Sequence, residues 1–300
     1  MKRTILFLLT NLAAVAMLSI VAGVVCVLCG VDPGQALGEG GYGALLVFAF
    51  VFGMAGSLIS LLTSKSMVKL TMRCQTIDGS EGEAERWLVA TVADLARRAN
   101  VRTPEVAIYP GEANAFATGA FKNHALVAVS TRIMEQMSRE ELRAVLGHEM
   151  SHVANGDMVT MCLTQGVVNT FVIFFSHVLA YVVQNAASNG RERRRGGSYM
   201  MYHLLTTVFQ MLFGFLASLV IFWYSRRREY AADEGSATLL GSPAPMIAAL
   251  RRLGNLQPGV LPDSIKAFGI AGSKTSIFAT HPSLDDRINA LMNLKPNYAV

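Results

Sequence analysis

Charged side chains are scarce in this sequence: Asp, Glu, Lys and Arg make up only 16% of its 300 residues. A soluble domain carries about 25% charged residues, so the composition argues against a protein that is soluble throughout. Hydrophobic residues reach 52%, and the mean hydropathy is +0.39. These values indicate a membrane protein that also has a soluble part.

Cysteine is also scarce, with four residues in the chain. Cys26 and Cys29 have the C-x-x-C spacing of a redox or metal pair, but they lie in an apolar run, where packing is the better interpretation. A metal site would therefore use histidine and carboxylate. The net charge of +5 comes without a DNA- or RNA-binding motif, so we attribute it to basic residues beside membrane segments and predict no nucleic-acid partner.

Long apolar runs, by contrast, are abundant: residues 5–29, 45–62, 158–184 and 200–224. The first exceeds the roughly 20 residues that cross a bilayer and the about 7–15 apolar residues of a signal peptide, so we predict an uncleaved transmembrane helix. Lys and Arg flank the outer ends of the first two runs, whereas the loop between them carries Asp32 and no basic residue. The positive-inside rule then places the segment after residue 64 in the cytoplasm.

The third and fourth runs are separated by an arginine cluster at 191–195, which conflicts with the same rule if both runs span. A hairpin that does not span would leave the cluster in the cytoplasm. Both runs are long enough to cross the bilayer, which favours two spans, but the polar residues of the third run allow either arrangement.

The segment 148–152 reads H-E-x-x-H. Positions four apart lie on one face of an α-helix, so His148 and His152 point the same way and suit a tetrahedral Zn²⁺. Glu149 lies beside them, where its carboxylate can take a proton from water. A helix is expected here because Ser138 begins an S-x-x-E capping box and Gly156 supplies a left-handed stop.

Short strands are predicted before this helix, at 105–109 and 125–130, after an amphipathic helix at 81–100. The small sheet could bind an extended peptide at its edge by strand addition. Its strands could equally be ordinary packing strands, and spacing alone leaves both interpretations open.

A catalytic zinc usually has three protein ligands and a water, and no third histidine lies close to the motif. Glu229 is the best candidate, because it begins a predicted helix where the fourth apolar run returns the chain to the motif. Asp233, one turn further, could accept a hydrogen bond from a ligand histidine. Glu229 could instead be a carboxylate that answers the dipole at a helix N-terminus.

Several motifs together resemble one known family, along essentially the whole chain. They are Met1-Lys-Arg-Thr-Ile-Leu-Phe7, Asn114-Ala-Phe-Ala-Thr-Gly119, Leu146-Gly-His-Glu-Met-Ser-His-Val-Ala-Asn-Gly-Asp157, Arg228-Glu-Tyr-Ala-Ala-Asp233 and Thr280-His-Pro-Ser283. The sequence resembles the HtpX family of bacterial membrane-bound, heat-shock-associated zinc metalloproteases, relatives of the CAAX prenyl endopeptidases. The resemblance implies a gluzincin fold, an inner-membrane protein with a cytoplasmic active site, and Glu229 as the third ligand of one zinc per chain. It also implies polypeptide substrates, namely damaged or misfolded membrane proteins.

The predicted fold class is therefore α+β: a mostly helical integral membrane protein whose transmembrane helices accompany a gluzincin-type zinc metalloprotease domain with a small β-sheet. The expected parts are a transmembrane hairpin (1–64), a first protease segment with the zinc helix (65–157), the third and fourth apolar helices (158–224) and a second protease segment (225–300).

The predicted function is a membrane-integrated zinc endopeptidase with Glu149 as general base. His281 is expected to contact the oxyanion or substrate, because His-Pro recurs near the active site of the resembled family, and Asn114 is expected to help place the edge strand. A zinc- or client-binding protein that does not cleave is a second class, and Glu149 speaks against it. A transporter is a third, and its weakness is that the ionisable groups lie in the soluble part.

Overall fold

This computed structural model describes residues 41–188, 195–255 and 281–294. The first apolar run, the Asp32 loop, the segment 189–194 with Arg191, Arg193 and Arg194, and the segment 256–280 lie outside these ranges. The described residues belong to two compact units. One unit falls within Met1–Leu58 and Leu163–Ser218, and the other falls within Ile59–Cys162 and Leu219–Val300.

Helices dominate the described residues. We label them α1 Gly41–Thr71, α2 Glu83–Arg98, α3 Thr131–Gln136, α4 Arg139–Asn155, α5 Asp157–Ser188, α6 Arg195–Leu240, α7 Ala244–Asn255 and α8 Leu284–Met292. Within the described ranges, three helical stretches are long and apolar enough to cross a membrane by length and composition: Gly41–Thr71, Asp157–Ala187 and Tyr199–Leu240. They contain the second, third and fourth apolar runs.

Helix α6 continues further than the sequence predicts. We expected the fourth apolar run to end at Tyr224 and a new helix to begin at Glu229, but Arg195–Leu240 is one unbroken helix. No glycine or proline lies between residues 225 and 234, and arginine is a good helix former, so nothing ends the helix there. Glu229 and Asp233 therefore lie inside a helix, and the helix-N-terminus alternative for Glu229 is wrong.

A four-stranded sheet lies in the second unit, formed by β1 Gln75–Ile77, β2 Glu105–Tyr109, β3 Ala115–Thr118 and β4 Leu126–Ser130. The order is β1-β2-β4-β3, with β2 and β4 parallel and the other two pairs antiparallel. Strands β2 and β4 were predicted, whereas the short β1 was not. Strand β3 lies at one edge of the sheet, so it has one side that faces away from β4.

Helix α4 forms the centre of this unit and has the predicted ends. The Ser138 side chain accepts a hydrogen bond from the Glu141 backbone, and the Glu141 side chain accepts one from the Ser138 backbone. Gly156 ends the helix with φ 69°, in the left-handed region that glycine adopts readily. Between these ends α4 packs against α2, α7 and β3, so the H-E-x-x-H segment is held in a buried, rigid helix.

Candidate metal centre

Three ligand-type side chains converge where α4 meets α6. The Nε2 atoms of His148 and His152 are 3.1 Å apart on one face of α4. The Glu229 carboxylate approaches from α6, with Oε2 3.5 Å from His148 Nε2 and Oε1 3.4 Å from His152 Nε2. Each residue offers one ligand atom, and the three atoms lie within 4.8 Å of one another. Two imidazole nitrogens and one carboxylate oxygen are a donor set that suits catalytic zinc.

Small residues let the two helices approach closely enough for this convergence. A Cβ atom at Gly147 of α4 would lie 2.8 Å from the Ser236 Oγ of α6, closer than side chains tolerate. The Ser236 hydroxyl donates a 2.7 Å hydrogen bond to the Ala144 carbonyl oxygen. Ser151 of α4 likewise faces Gly235 of α6. The close approach of α4 and α6 therefore requires glycine and serine at the contact, in addition to the correct spacing of the candidate ligands.

Glu149 lies beside the two histidines on α4, and its carboxylate is directed at strand β3. It is 2% exposed, and its carboxylate accepts a hydrogen bond from the Ala117 backbone N–H of edge strand β3. Burial raises the pKa of this carboxyl group to about 7, although the nearby histidines act in the opposite direction. A small, partly open cavity adjoins these groups, lined by Ala117, Glu149, His152, Met158, Ser225, Arg228 and Glu229. A buried carboxyl, two ligand residues and the sheet edge thus share one cavity.

Comparison with known proteins assigns this arrangement to a family. The sequence profile of peptidase family M48 matches residues 83–295, which include the three converging side chains and Glu149. The chain belongs to peptidase family M48.

Full-length relatives support the assignment. The chain is 52% identical to a "Protease HtpX homolog" of Verminephrobacter eiseniae over 294 residues, which cover 98% of this chain and 99% of the relative. It is 49% identical to the protein of the same description from Variovorax paradoxus, with 98% and 100% of the chains covered. Among solved structures, Ste24p of S. mikatae is similar in fold, with a TM-score of 0.55 and 17% identity over 82% of this chain and 58% of that chain.

These findings confirm several predictions. The M48 chain is a metallopeptidase, and its fold is the predicted mostly helical one with a small mixed sheet and apolar helices. The apolar helices and the similarity to HtpX proteases make it a multi-pass membrane protein. As a peptidase, it acts on polypeptides. The family implies a metal, and the residues His148, His152 and Glu229 fit one.

Behind the candidate ligand residues of this M48 peptidase, each histidine contacts a further carboxylate. His148 Nδ1 donates to Asp233 Oδ1 at 2.8 Å. Asp233 in turn accepts two hydrogen bonds from Arg287 of α8, at 2.8 Å from Nε and 2.6 Å from Nη2. Arg287 is 0% exposed. The Asp233 contact favours the proton on Nδ1 of His148. The lone pair of Nε2 is then available to bind a metal ion.

His152 has a similar partner that the sequence analysis missed. Its Nδ1 atom lies 2.6 Å from Oδ2 of Asp157, the first residue of α5. Hydrogen bonds to carboxylates outweigh the effect of burial and raise the pKa of both histidines, that of His152 to about 10. The surrounding carboxylates therefore favour positive charge at the two imidazoles, which is the condition that a divalent cation satisfies.

The structure also places the remaining predicted residues. His281 is 6% exposed and lies with Nδ1 3.0 Å from Glu229 Oε2, so it joins the cluster. Asn114 precedes β3, and its backbone bonds to the Ser130 hydroxyl of β4 and the Tyr109 hydroxyl of β2. These backbone contacts fit a residue that helps hold the edge strand in place.

Proposed function

We propose that the chain is a membrane-integrated, zinc-dependent endopeptidase that cleaves damaged or misfolded membrane proteins. One observation carries the proposal: His148, His152 and Glu229 converge beside a cavity that Glu149 also lines. Hydrolytic zinc sites need three protein ligands, an open position and an adjacent carboxylate that handles protons. The names of the full-length relatives support the peptidase activity.

Each residue then has a distinct task. His148, His152 and Glu229 hold one zinc per chain, and a bound zinc supplies the Lewis acid that activates a water and polarises the substrate carbonyl. Glu149 takes the proton of the attacking water and returns it to the leaving amine. Burial raises the pKa of this carboxyl group, which strengthens it as a base toward the proton of water.

The substrate is proposed to bind in extended form along β3. The N–H of Ala117 points from this edge strand to Glu149, so a peptide paired with β3 passes beside the base. His281 is proposed as a second donor to the oxyanion, because it is buried against Glu229 at the same cluster. Asn114 holds the start of β3 through its backbone contacts.

The same reasoning proposes a location. Lys65 and Lys69 follow the second apolar run, which favours a cytoplasmic active site by the positive-inside rule. The similarity to HtpX proteases supports the bacterial inner membrane as the location. The proposed parts are the N-terminal hairpin (1–64), protease segments 65–157 and 225–300, and the third and fourth apolar helices at 158–224, which either span the bilayer or form a hairpin. Substrate capture next to the bilayer would follow from this arrangement, since segments 65–157 and 225–300 directly continue from apolar runs.

The test is Glu149→Gln in the purified full-length protein, measured for zinc content and for casein cleavage on the same preparation. We expect zinc to be retained and cleavage to fall by at least about 100-fold, since general-base catalysis contributes about 10²–10⁴-fold. Glu140→Gln is the matched control, because it makes the same change at an exposed position in the first turn of the same helix. Substantial cleavage by Glu149→Gln would reject the role of the base, and a wild-type protein that binds zinc without cleaving would favour a binding function.

A further inference from the structure

Asp157 is the first residue of the long apolar helix α5, and its carboxylate is buried against a histidine of the candidate metal centre. It is 7% exposed, and its Oδ2 atom lies 2.6 Å from His152 Nδ1. The contact is possible because Gly156 adopts φ 69° and ψ 35°, which ends α4 and turns the chain directly into α5. The buried carboxylate is thus brought back over the last turn of α4.

Arg228 of α6 holds the other oxygen of this carboxylate. Its Nε atom lies 3.3 Å from Asp157 Oδ1, and its side chain is 14% exposed. Arg228 also lines the cavity that Glu149 and Glu229 line. The two oxygens of Asp157 therefore have separate partners, one being His152 and the other an arginine that directly precedes Glu229 in sequence.

The arrangement repeats what surrounds the other histidine. His148 contacts Asp233, and Asp233 contacts Arg287. In both cases an imidazole Nδ1 atom donates to a carboxylate, and an arginine neutralises that carboxylate. Arg287 donates two hydrogen bonds to Asp233, whereas Arg228 Nε contacts Asp157 as an ion pair at 3.3 Å without a hydrogen bond. The two arrangements draw on different pairs of helices, which share α6: α6 and α8 for His148, and α5 and α6 for His152.

We infer that Asp157 is a positioning residue for the metal centre, which fixes the tautomer and ring orientation of His152, and that Arg228 holds Asp157 in place. This inference rests on the proposed function, since it assumes that His152 Nε2 binds zinc. A carboxylate behind a ligand histidine typically changes metal affinity or activity about 10–100-fold. Arg228 acts through Asp157, so its removal is expected to have the smaller effect.

An acidic residue in the first turn of a helix also has an ordinary structural role, because it interacts favourably with the helix dipole. That role stabilises α5 without any effect on His152. The two roles differ in what they change: the dipole interaction affects folding stability, whereas the positioning role affects the affinity and the geometry of the metal site.

The experiment uses the full-length protein in detergent, as wild type and as Asp157→Ala, Asp157→Asn, Arg228→Ala and Arg227→Ala. Zinc affinity is measured by competition with a chromogenic chelator, ligand geometry by the visible absorption of the Co²⁺-substituted protein, and stability by melting of the metal-free protein. Arg227→Ala is the matched control, because Arg227 lies on the same helix and its guanidinium packs 4.6 Å above the Trp223 ring.

We expect Asp157→Ala to weaken zinc binding about 10–100-fold and to alter the cobalt spectrum. Asp157→Asn keeps an oxygen acceptor and should restore part of the affinity, Arg228→Ala should lose less than Asp157→Ala, and Arg227→Ala should bind as wild type. Unchanged zinc affinity and cobalt spectrum in Asp157→Ala, with or without a lower melting temperature, would overturn the inference. A wild-type protein that binds no zinc would instead refute the proposed function, so the two failures are distinguishable.

Discussion

Arg287 is the most deeply buried charge of the site, and its removal makes a quantitative prediction possible. The guanidinium is 0% exposed, and it donates two hydrogen bonds to Asp233 at 2.8 and 2.6 Å. Its Nη1 atom also lies 3.4 Å from Glu229 Oε2. Without Arg287 the buried Asp233 carboxylate loses its compensating cation, which typically costs about 3–5 kcal/mol.

The substitution Arg287→Met keeps much of the side-chain volume and removes the charge. A loss of about 3–5 kcal/mol is large against a total stability of roughly 5–15 kcal/mol. At roughly 2–4 °C per kcal/mol, the melting temperature should fall by about 6–20 °C. Melting must be compared at one scan rate in metal-free protein, because bound metal raises the apparent stability.

A second background separates charge from packing. In Asp233→Asn a neutral amide replaces the carboxylate, so Arg287→Met should cost much less stability there than in wild type. Arg251→Met, at an exposed position on α7, is the control and should change stability by no more than about 0.5 kcal/mol. An equal fall in melting temperature in both backgrounds would refute the reasoning, because the cost would then come from lost packing and not from an uncompensated carboxylate.

Three further predictions concern the ligands, the topology and the helix contact. Glu229→Ala should lose zinc to a mild chelator, whereas Asp233→Ala should keep most zinc and lose about 10–100-fold in activity; equal retention by both variants would remove Glu229 from the ligand set. A cysteine at Asp32 should react with an impermeant reagent outside intact cells, and one at Ser188 should do so only if the third and fourth runs span. Gly147→Val should destabilise the protein by about 1–3 kcal/mol and weaken zinc binding, measured by melting and chelator competition, because the added side chain has no space against α6.

The parts of the site that the sequence predicts correctly have local signals. The capping box at Ser138 and the left-handed Gly156 act within a few residues, so the ends of α4 follow from short motifs. The helical spacing of His148 and His152 likewise depends on one helix alone. Strands β2 and β4 carry continuous apolar residues and are found at or within one residue of their predicted bounds.

The missed parts depend on contacts between distant segments. Strand β1 has three residues, two of them exposed, so it has no apolar alternation to detect and exists through its pairing with β2. Arg287 lies 54 residues after Asp233, and nothing near it in the sequence marks it as buried. Asp157 is only five residues from His152, but its contact requires the chain to turn at Gly156. Burial of a charge is a tertiary property, which a one-dimensional pattern does not contain.

Three side chains on one face of α6 complete the site that α4 begins. Glu229, Asp233 and Ser236 are spaced at i, i+4 and i+7, so they lie on one face of α6. They meet the face of α4 that carries His148, since Glu229 and Asp233 approach its two ring nitrogens and Ser236 binds the Ala144 carbonyl. The Ser236 contact against Gly147 fixes the rotation of this part of α6, since a rotated helix would bring larger side chains against the glycine. That rotation aims the Glu229 carboxylate at the two histidines.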